Sequence, residues 1–198
     1  NQQYQAIEYT VEPDASSASH FLAIAALNGK VQINNLSESS LQGDKNFAKV
    51  LSMMGARVNY GGSFITCESS SRLNGISVNM EDMPDVAMTI AAIAPFADSK
   101  TYISGISSWK VKETDRLMAI YTELTKLGVQ VEYTDDSITI YPCENMASQV
   151  CIDTYNDHRM AMCFSLIALY NGIVINNPEC VGKTFANYFE LFRESLYK

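Results

Sequence analysis

The sequence predicts an α/β (α+β) fold in which three copies of a β-α-β-α-β-β unit pack around buried helices. The first observation is a repeat: an aspartate precedes a helix rich in small and apolar residues at Asp14, Asp85 and Asp157, which are 71 and 72 residues apart. The second is that these helices, as in FLAIAAL and MCFSLIAL, are apolar on every side, which is typical of helices buried in a core. The third is a pair of alternating strands late in two of the copies.

The first unit covers about residues 6–70. In chain order we predict a strand at IEYTVE (7–12), a helix at PDASSASHFLAIAAL (13–27), a strand at KVQINNL (30–36), a helix at GDKNFAKVLSMMG (43–55) and two strands at ARVNYG (56–61) and SFITCES (63–69). The outer strands alternate apolar and polar residues, which indicates sheets with one covered face. Gly55 follows the second helix, and glycine is the usual residue at a left-handed helix stop.

The second and third units, about residues 76–142 and 148–198, follow the same order. In the second unit we predict strand ISVNME (76–81), helix PDVAMTIAAIAPFA (84–97), strand TYISGI (101–106), helix KETDRLMAIYTELTKLG (112–128) and strands VQVEYT (129–134) and SITIYP (137–142). In the third we predict strand QVCIDT (149–154), helix NDHRMAMCFSLIALY (156–170), strand GIVINNP (172–178) and helix GKTFANYFELFRESL (182–196). Gly128 stops a helix as Gly55 does, and Ile33, Ile103 and Ile175 hold one place in the repeat. We therefore expect one domain over residues 1–198; the alternative is an ordinary α+β domain with chance similarities.

Composition excludes several classes of function. The net charge of −8 and the pI near 4.7 argue against non-specific binding to nucleic acid or to an anionic membrane. The five cysteines are scattered, without CxxC or Cys/His metal spacing, so we expect reduced thiols, no metal site and a cytoplasmic location. No apolar run reaches membrane-spanning length, and no signal peptide is recognisable.

Five of the fourteen Lys and Arg residues lie at predicted helix starts: Lys110, Lys112, Arg116, Arg159 and Lys183. The start of a helix carries partial positive charge, so each cation there is unfavourable by about 0.3–1 kcal/mol. A bound anion reverses this, because the free N–H groups and the side chains then attract the same guest. Equivalent loops of a repeat lie on one side of an assembly, so we expect the five cations to converge on a phosphate or a carboxylate.

Simpler interpretations exist for each member of this set. The segment KETDR alone is more often a solvated run of charges, with Glu113 and Arg116 as an ordinary i,i+3 pair. The three aspartates could be N-caps, and His158 alone could be structural. The hypothesis of an anion site therefore depends on the whole set.

Four segments, EPDASSAS, KETDR, YNDHRMAM and GKTFANYFE, in this order resemble the C-terminal half of the EPSP synthase (3-phosphoshikimate 1-carboxyvinyltransferase) family. The resemblance runs from about Tyr9 to the end of the chain. It implies two similar domains, each an inside-out barrel of three such units. It also implies transfer of the enolpyruvyl group of phosphoenolpyruvate to the 5-hydroxyl of shikimate 3-phosphate, by addition and elimination, without metal or organic cofactor.

The resemblance also implies roles for particular residues. Asp85 would contact the shikimate hydroxyls and act as a base, Lys112 would contact shikimate phosphate or hydroxyl groups, and Glu113 would move protons at the phosphoenolpyruvate methylene. Phosphoenolpyruvate would be held by Arg116, Arg159 and Lys183, with His158 beside them. The implied substrate-binding set is Asp85, Ser108, Lys112, Glu113, Arg116, His158, Arg159 and Lys183. These assignments make the catalytic residues Asp85, Glu113 and Lys112.

Three departures from the family pattern affect these expectations. Ser108 stands where the family usually has Asn. Lys110 stands where the family usually has Arg; the lysine keeps the positive charge but lacks the planar guanidinium fork. The family enzyme is about twice as long, with its active site between two domains. We therefore interpret the chain as the C-terminal domain, inactive without an N-terminal partner domain. A stand-alone anion-binding module and an enolpyruvyl transferase with another acceptor are the alternatives.

Overall fold

The computed structural model describes residues 3–8, 10–70 and 72–196. The elements of the first unit are α1 (Ala15–Leu27), β1 (Lys30–Asn34), α2 (Phe47–Met53), β2 (Arg57–Tyr60) and β3 (Phe64–Glu68). Those of the second are β4 (Ser77–Asn79), α3 (Pro84–Ile93), β5 (Thr101–Ser104), α4 (Arg116–Lys126), β6 (Val131–Tyr133) and β7 (Ser137–Ile140). Those of the third are β8 (Val150–Ile152), α5 (His158–Ser165), β9 (Ile173–Ile175) and α6 (Tyr188–Ser195).

Each unit contributes one sheet. The sheet of the second unit has four strands, and the sheets of the first and third units correspond to parts of it. The strand orders are β1-β3-β2, β4-β5-β7-β6 and β8-β9. The pairs β4–β5 and β8–β9 are parallel, whereas β3 and β7 run antiparallel to their neighbours. Ile33 pairs with Ile65 and Ile103 with Ile138, so the equivalent isoleucines hold equivalent places in their sheets.

The first helix of each unit lies in the core. Helix α1 contacts α3, and α3 contacts α5. In α3 every residue from Val86 to Ile93 is buried, as expected for helices without a polar face. Polar groups inside this core contact one another: Ser19 Oγ lies 3.2 Å and His20 Nδ1 lies 3.4 Å from Thr89 Oγ1. The second helices are amphipathic; α4 buries Leu117, Ile120 and Leu124.

The predicted strand at residues 7–12 is wrong for the residues that the structure describes. Residues 7, 8 and 10–12 form no strand, and Tyr9 lies outside the described residues. Ile7 and Val11 are about four-fifths exposed, at 79% and 81%. Strand propensity acts through side-chain packing and burial, and this segment has no cover for its apolar side chains.

Two predicted helix starts are also wrong. The second helix of unit two begins at Arg116 rather than Lys112, because the Asp115 carboxylate accepts a hydrogen bond from Met118 N and caps the helix there. Lys110 lies in a short 3₁₀-helix, Ser107–Val111, and Lys112 has extended backbone. In unit three, Lys183 ends the 3₁₀-helix Pro178–Lys183, and α6 starts only at Tyr188.

The predicted glycine stops after two helices are confirmed. Gly55 and Gly128 follow their helices with φ of +99° and +84°, in the left-handed region that glycine enters readily. Within the described part of the chain, we find no helix with both the length and the apolar character needed to cross a membrane. The boundaries of the repeats and the assignment of residues 1–198 to one domain stay predictions.

Candidate anion-binding site

One end of the buried helices gathers the charged residues that the sequence singled out. Asp85 is the second residue of α3, and Asp157 caps the N-terminus of α5. Arg116 is the first residue of α4, which meets both helices. Glu113 precedes α4 in the loop after the 3₁₀-helix, and Lys183 arrives from the third unit. We call the group formed by Asp85, Lys112, Glu113, Arg116, Asp157, His158, Arg159 and Lys183 the charge cluster.

Arg116 is the centre of the charge cluster. Its side chain is 1% exposed and donates to three carboxylates. Nε lies 2.8 Å from Asp157 Oδ2, Nη1 lies 2.9 Å from Asp85 Oδ1, and Nη2 lies 2.8 Å from Glu113 Oε2. Burial alone would lower the pKa of Arg116, but Asp157, Asp85 and Glu113 raise it overall. A buried guanidinium is tolerated only when it is paired in this way.

Asp85 joins three cations from three elements. Besides Arg116, Lys112 Nζ lies 3.2 Å from Asp85 Oδ1, and Arg159 Nη2 donates to Asp85 Oδ2 at 3.2 Å. Burial alone would raise the pKa of this carboxyl, but Arg159, Arg116 and Lys112 more than offset it and hold the pKa below its usual range. Asp85 is therefore a carboxylate at neutral pH, with 31% of its side chain exposed to a guest.

Glu113 is held by two cations. Its Oε1 accepts from Lys183 Nζ at 2.8 Å, and its Oε2 accepts from Arg116. The hydrogen bond from Lys183 is the main cause that lowers the pKa of Glu113 to about 2, against the opposing effect of burial, and Arg116 adds to it. Lys183 is 59% exposed, and Glu113 is 27% exposed, so this ion pair lies on the open side of the charge cluster.

The imidazole of His158 lies beside these groups. Its Nδ1 has no hydrogen-bond partner among the residues that the structure describes. Its Nδ1 is buried, 3.7 Å from Asp157 Oδ1 and 4.0 Å from Glu113 Oε1. Burial is the main cause that lowers the pKa of His158, with Arg159 adding to it and Asp157 opposing it. The imidazole is therefore neutral at pH 7.

Most of the residues singled out in the sequence come together, but two do not. Lys110 pairs instead with Asp135 on the exposed surface, at 2.5 Å, so the expected convergence of five cations is corrected to four. Ser108 is half-buried in the 3₁₀-helix, and among the described residues no hydrogen bond joins its side chain to the charge cluster.

One carboxylate of the charge cluster and one carboxylate outside it were missed. Asp157 is fully buried and accepts hydrogen bonds from the Arg116 side chain and from the backbone N–H of Arg159. From the sequence it was considered only as a possible helix cap. Its signal was the repeat, since it lies 72 residues after Asp85. Asp44 of unit one accepts a hydrogen bond from the Ser16 hydroxyl. Burial raises the pKa of Asp44, opposed by Ser16 and by Arg159.

The charge cluster suits anion binding and proton transfer. Within the described ranges, no group of three or more His, Cys, Asp and Glu is arranged to hold a metal ion. Fixed cations can hold phosphate or carboxylate groups and stabilise charge that develops on them. The interleaved carboxylates can accept or donate protons next to a bound guest.

Comparisons with known proteins identify similar sequences and a similar fold. The sequence model of EPSP synthase (3-phosphoshikimate 1-carboxyvinyltransferase) matches residues 1–192. The chain is 51% identical over 193 residues to the 3-phosphoshikimate 1-carboxyvinyltransferase of Haemophilus influenzae, covering 96% of this chain and 44% of that protein. It is 49% identical over 195 residues to the enzyme of the same name from Mannheimia succiniciproducens, covering 97% and 45%.

The solved structure of EPSP synthase from Acinetobacter baumannii has the same fold. It matches with a TM-score of 0.81 at 25% identity, over 93% of this chain and 46% of that one. The predicted fold class is thereby confirmed. The chain spans less than half the length of the curated relatives that it matches. Since the family match covers nearly every residue, the chain belongs to the EPSP synthase (3-phosphoshikimate 1-carboxyvinyltransferase) family.

Proposed function

We propose that this chain supplies one half of an active site that transfers the enolpyruvyl group of phosphoenolpyruvate to the 5-hydroxyl of shikimate 3-phosphate. The observation that carries the proposal is the charge cluster, in which four cations and three carboxylates from α3, α4, α5 and their flanking loops meet. Both substrates carry several negative charges, which suits this convergence. The family membership supplies the reaction class.

Within this proposal the cations position the two substrates. Arg116, Arg159 and Lys183 hold the phosphate and carboxylate of phosphoenolpyruvate, with His158 beside them. Lys112, which shares Asp85 Oδ1 with Arg116, contacts shikimate 3-phosphate. Arg159 and Lys183 are the partly exposed members of the first group, at 12% and 59%, so they make the direct contacts. Arg116, at 1% exposed, mainly orients the carboxylates around them.

The carboxylates move the protons. Asp85 is ionised, so it can accept the proton of the 5-hydroxyl as the oxygen attacks C2 of phosphoenolpyruvate. Glu113, in its protonated form, donates a proton to the methylene carbon, which completes the tetrahedral intermediate. The C–O bond to phosphate then breaks and phosphate leaves, while the methyl carbon returns a proton to Glu113. Lys112, 3.2 Å from Asp85, stabilises that carboxylate in its ionised form.

The other half of the active site belongs to the part of the relatives that this chain does not span. The relatives are more than twice its length, so we propose that a second domain supplies the remaining substrate contacts and that this chain alone is inactive. A cytoplasmic location belongs to the same proposal, supported by five free cysteines. No metal or organic cofactor is assigned a role.

A stand-alone anion-binding module is the second candidate. It is favoured by one observation, namely that all the ion pairs of the charge cluster form within this chain. The two candidates differ in turnover. An anion-binding module would bind phosphoenolpyruvate without catalysis, whatever is added to it.

Reconstitution tests the proposal. The chain is mixed with the N-terminal part of the Haemophilus influenzae relative that it does not span, and release of inorganic phosphate is followed. We expect turnover only in the mixture. In the mixture, Arg159→Ala and Lys183→Ala should raise KM for phosphoenolpyruvate at least tenfold, whereas Asp85→Ala should mainly lower kcat. Lys30→Ala, which affects a surface pair with Glu68, is the control. Full turnover by the chain alone, or small and equal effects of all three variants, would contradict the proposal.

A further inference from the structure

The charge cluster is almost neutral without a guest. Its cations are Lys112, Arg116, Arg159 and Lys183, and its carboxylates are Asp85, Glu113 and Asp157. With His158 neutral, the formal charges sum to +1. A guest with two negative charges changes this sum to −1, so the size of the net charge stays the same. The guest does, however, bring negative charge close to Asp85 and Glu113, the two partly exposed carboxylates, at 31% and 27%. Like charges at short range raise the pKa of a carboxyl, so protonation of one of these groups would relieve the repulsion.

Lys183 and Glu113 are the pair best placed to change. Lys183 is the most exposed cation of the charge cluster, at 59%, against 32% for Lys112 and 12% for Arg159. Among the residues that the structure describes, its one carboxylate partner is Glu113, whose Oε1 lies 2.8 Å away. A phosphate or sulfate that takes Lys183 must compete with Glu113 for the same ammonium group. Asp157 cannot respond in this way, because it is fully buried, caps α5 and is fixed by Arg116.

We propose that binding of a dianion to the charge cluster is coupled to uptake of one proton by Glu113, with Lys183 as the positioning residue that exchanges this carboxylate for the guest. The inference rests on the proposed function only in taking the charge cluster as the anion site. As a result, Glu113 carries the proton that is needed at the methylene carbon only when the anion is bound.

The direction of the coupling follows from the groups that face Glu113. These are Lys183 from the third unit, Arg116 from α4 and His158 from α5, whose Nδ1 is 4.0 Å away. In the free protein the two cations hold the pKa of Glu113 at about 2. A dianion that draws Lys183 away and adds negative charge raises that pKa. The occupied state then binds more protons, so anion binding tightens as pH falls.

Sulfate is the probe, because it stays a dianion between pH 5 and pH 8. Its Kd for the chain is measured by calorimetry across this range at constant ionic strength. Linkage to one proton tightens binding by up to about tenfold for each unit that the pH falls. Glu113→Gln mimics the protonated acid, so it should bind sulfate more tightly at pH 7 and lose most of the pH dependence. Lys183→Met should bind sulfate at least tenfold more weakly.

His158→Gln is the matched control, because the imidazole is a second titratable group in the same cluster, with Nδ1 4.0 Å from Glu113 Oε1. We expect this variant to keep the pH dependence. A wild-type Kd that does not change with pH, a full slope in Glu113→Gln, or a lost slope in His158→Gln would each overturn the coupling while leaving the anion site intact. Absence of sulfate binding, or binding indifferent to Lys183→Met, would overturn the anion site itself and the coupling with it.

Discussion

Replacing Asp157 by alanine tests whether the buried ion pair at the centre of the charge cluster stabilises the fold. Asp157 is fully buried and uses both oxygens. Oδ2 accepts from Arg116 Nε at 2.8 Å, and Oδ1 accepts from Arg116 Nη2 at 3.4 Å and from the backbone N–H of Arg159 at 2.8 Å. Asp157→Ala therefore removes a buried counter-ion and a helix cap in a single change.

The two losses have separate magnitudes. Removing one partner of a buried ion pair destabilises a protein by about 3–5 kcal/mol, since the other charge stays buried. Arg116 keeps Asp85 and Glu113 as partners, so the lower end, about 3 kcal/mol, applies. Losing the N-cap of α5 adds about 1 kcal/mol. We expect a total decrease of about 4 kcal/mol in the free energy of unfolding.

Urea unfolding at pH 7 measures the effect, with Asp14→Ala as the matched control. Asp14 caps α1 as Asp157 caps α5, accepting from Ser16 N at 3.0 Å and Ser17 N at 3.2 Å, but it is exposed. The control should therefore lose only about 1 kcal/mol. With a slope of about 2 kcal/mol per molar urea, the midpoints of the two variants should differ by about 1.5 M.

Equal midpoints for the two variants would refute the reasoning, because they would show that Asp157 acts only as a cap. Asp157→Asn separates charge from shape, since an asparagine keeps the cap and most of the packing. We expect this variant to lose most of the ion-pair contribution. Wild-type stability in Asp157→Asn would show that the negative charge contributes nothing and that Asp85 and Glu113 suffice for Arg116.

Two further predictions concern stability. Gly105→Ala and Gly128→Ala both place a side chain at positive φ, +73° and +84°, which costs about 1 kcal/mol. Only in Gly105→Ala would the new Cβ lie 2.3 Å from the Asn79 side chain, so its melting temperature should fall much further; equal shifts would contradict this. His20 is buried, and burial chiefly lowers its pKa from 6.5 to about 3. Below pH 6.5 the unfolded chain binds a proton that the folded chain excludes, so stability falls by about 1.4 kcal/mol per pH unit towards pH 3. Urea unfolding at pH 7 and pH 5 should show a smaller pH dependence in His20→Leu, and an unchanged one would contradict the assignment.

The repeat was readable from the sequence because each unit must bury the same face in the same core. Ile33 and Ile103 face Ile65 and Ile138 in equivalent pairs, and this constraint leaves a period in the sequence. The strand at residues 7–12 failed for the opposite reason. Alternation alone indicates what a segment could form, whereas Ile7 is 79% exposed in the structure.

The convergence of the charge cluster was also predictable, but its pairings were not. Arg116 and Asp157 are 41 residues apart, and their contact depends on side-chain directions that no spacing encodes. Lys110 and Lys112 looked alike in the sequence, yet one pairs with Asp135 and the other with Asp85. The difference arises because the 3₁₀-helix and the extended backbone at Lys112 turn the two side chains to different sides.

The structure gives a different reason for the cation at the start of α4 from the one that the sequence suggested. An unfavourable helix dipole is worth about 0.3–1 kcal/mol, whereas breaking one buried ion pair costs several times more. The three carboxylates that pair with Arg116 outweigh the unfavourable helix dipole, so Arg116 is held in place without a bound anion. An anion must therefore displace protein carboxylates rather than fill an empty cationic pocket. A monoanion that pairs with Lys183 replaces Glu113 by a group with the same single negative charge. A dianion replaces it by a group with two negative charges. Competition of this kind favours doubly charged groups such as phosphate, and it ties their binding to the protonation of the carboxylate that they displace.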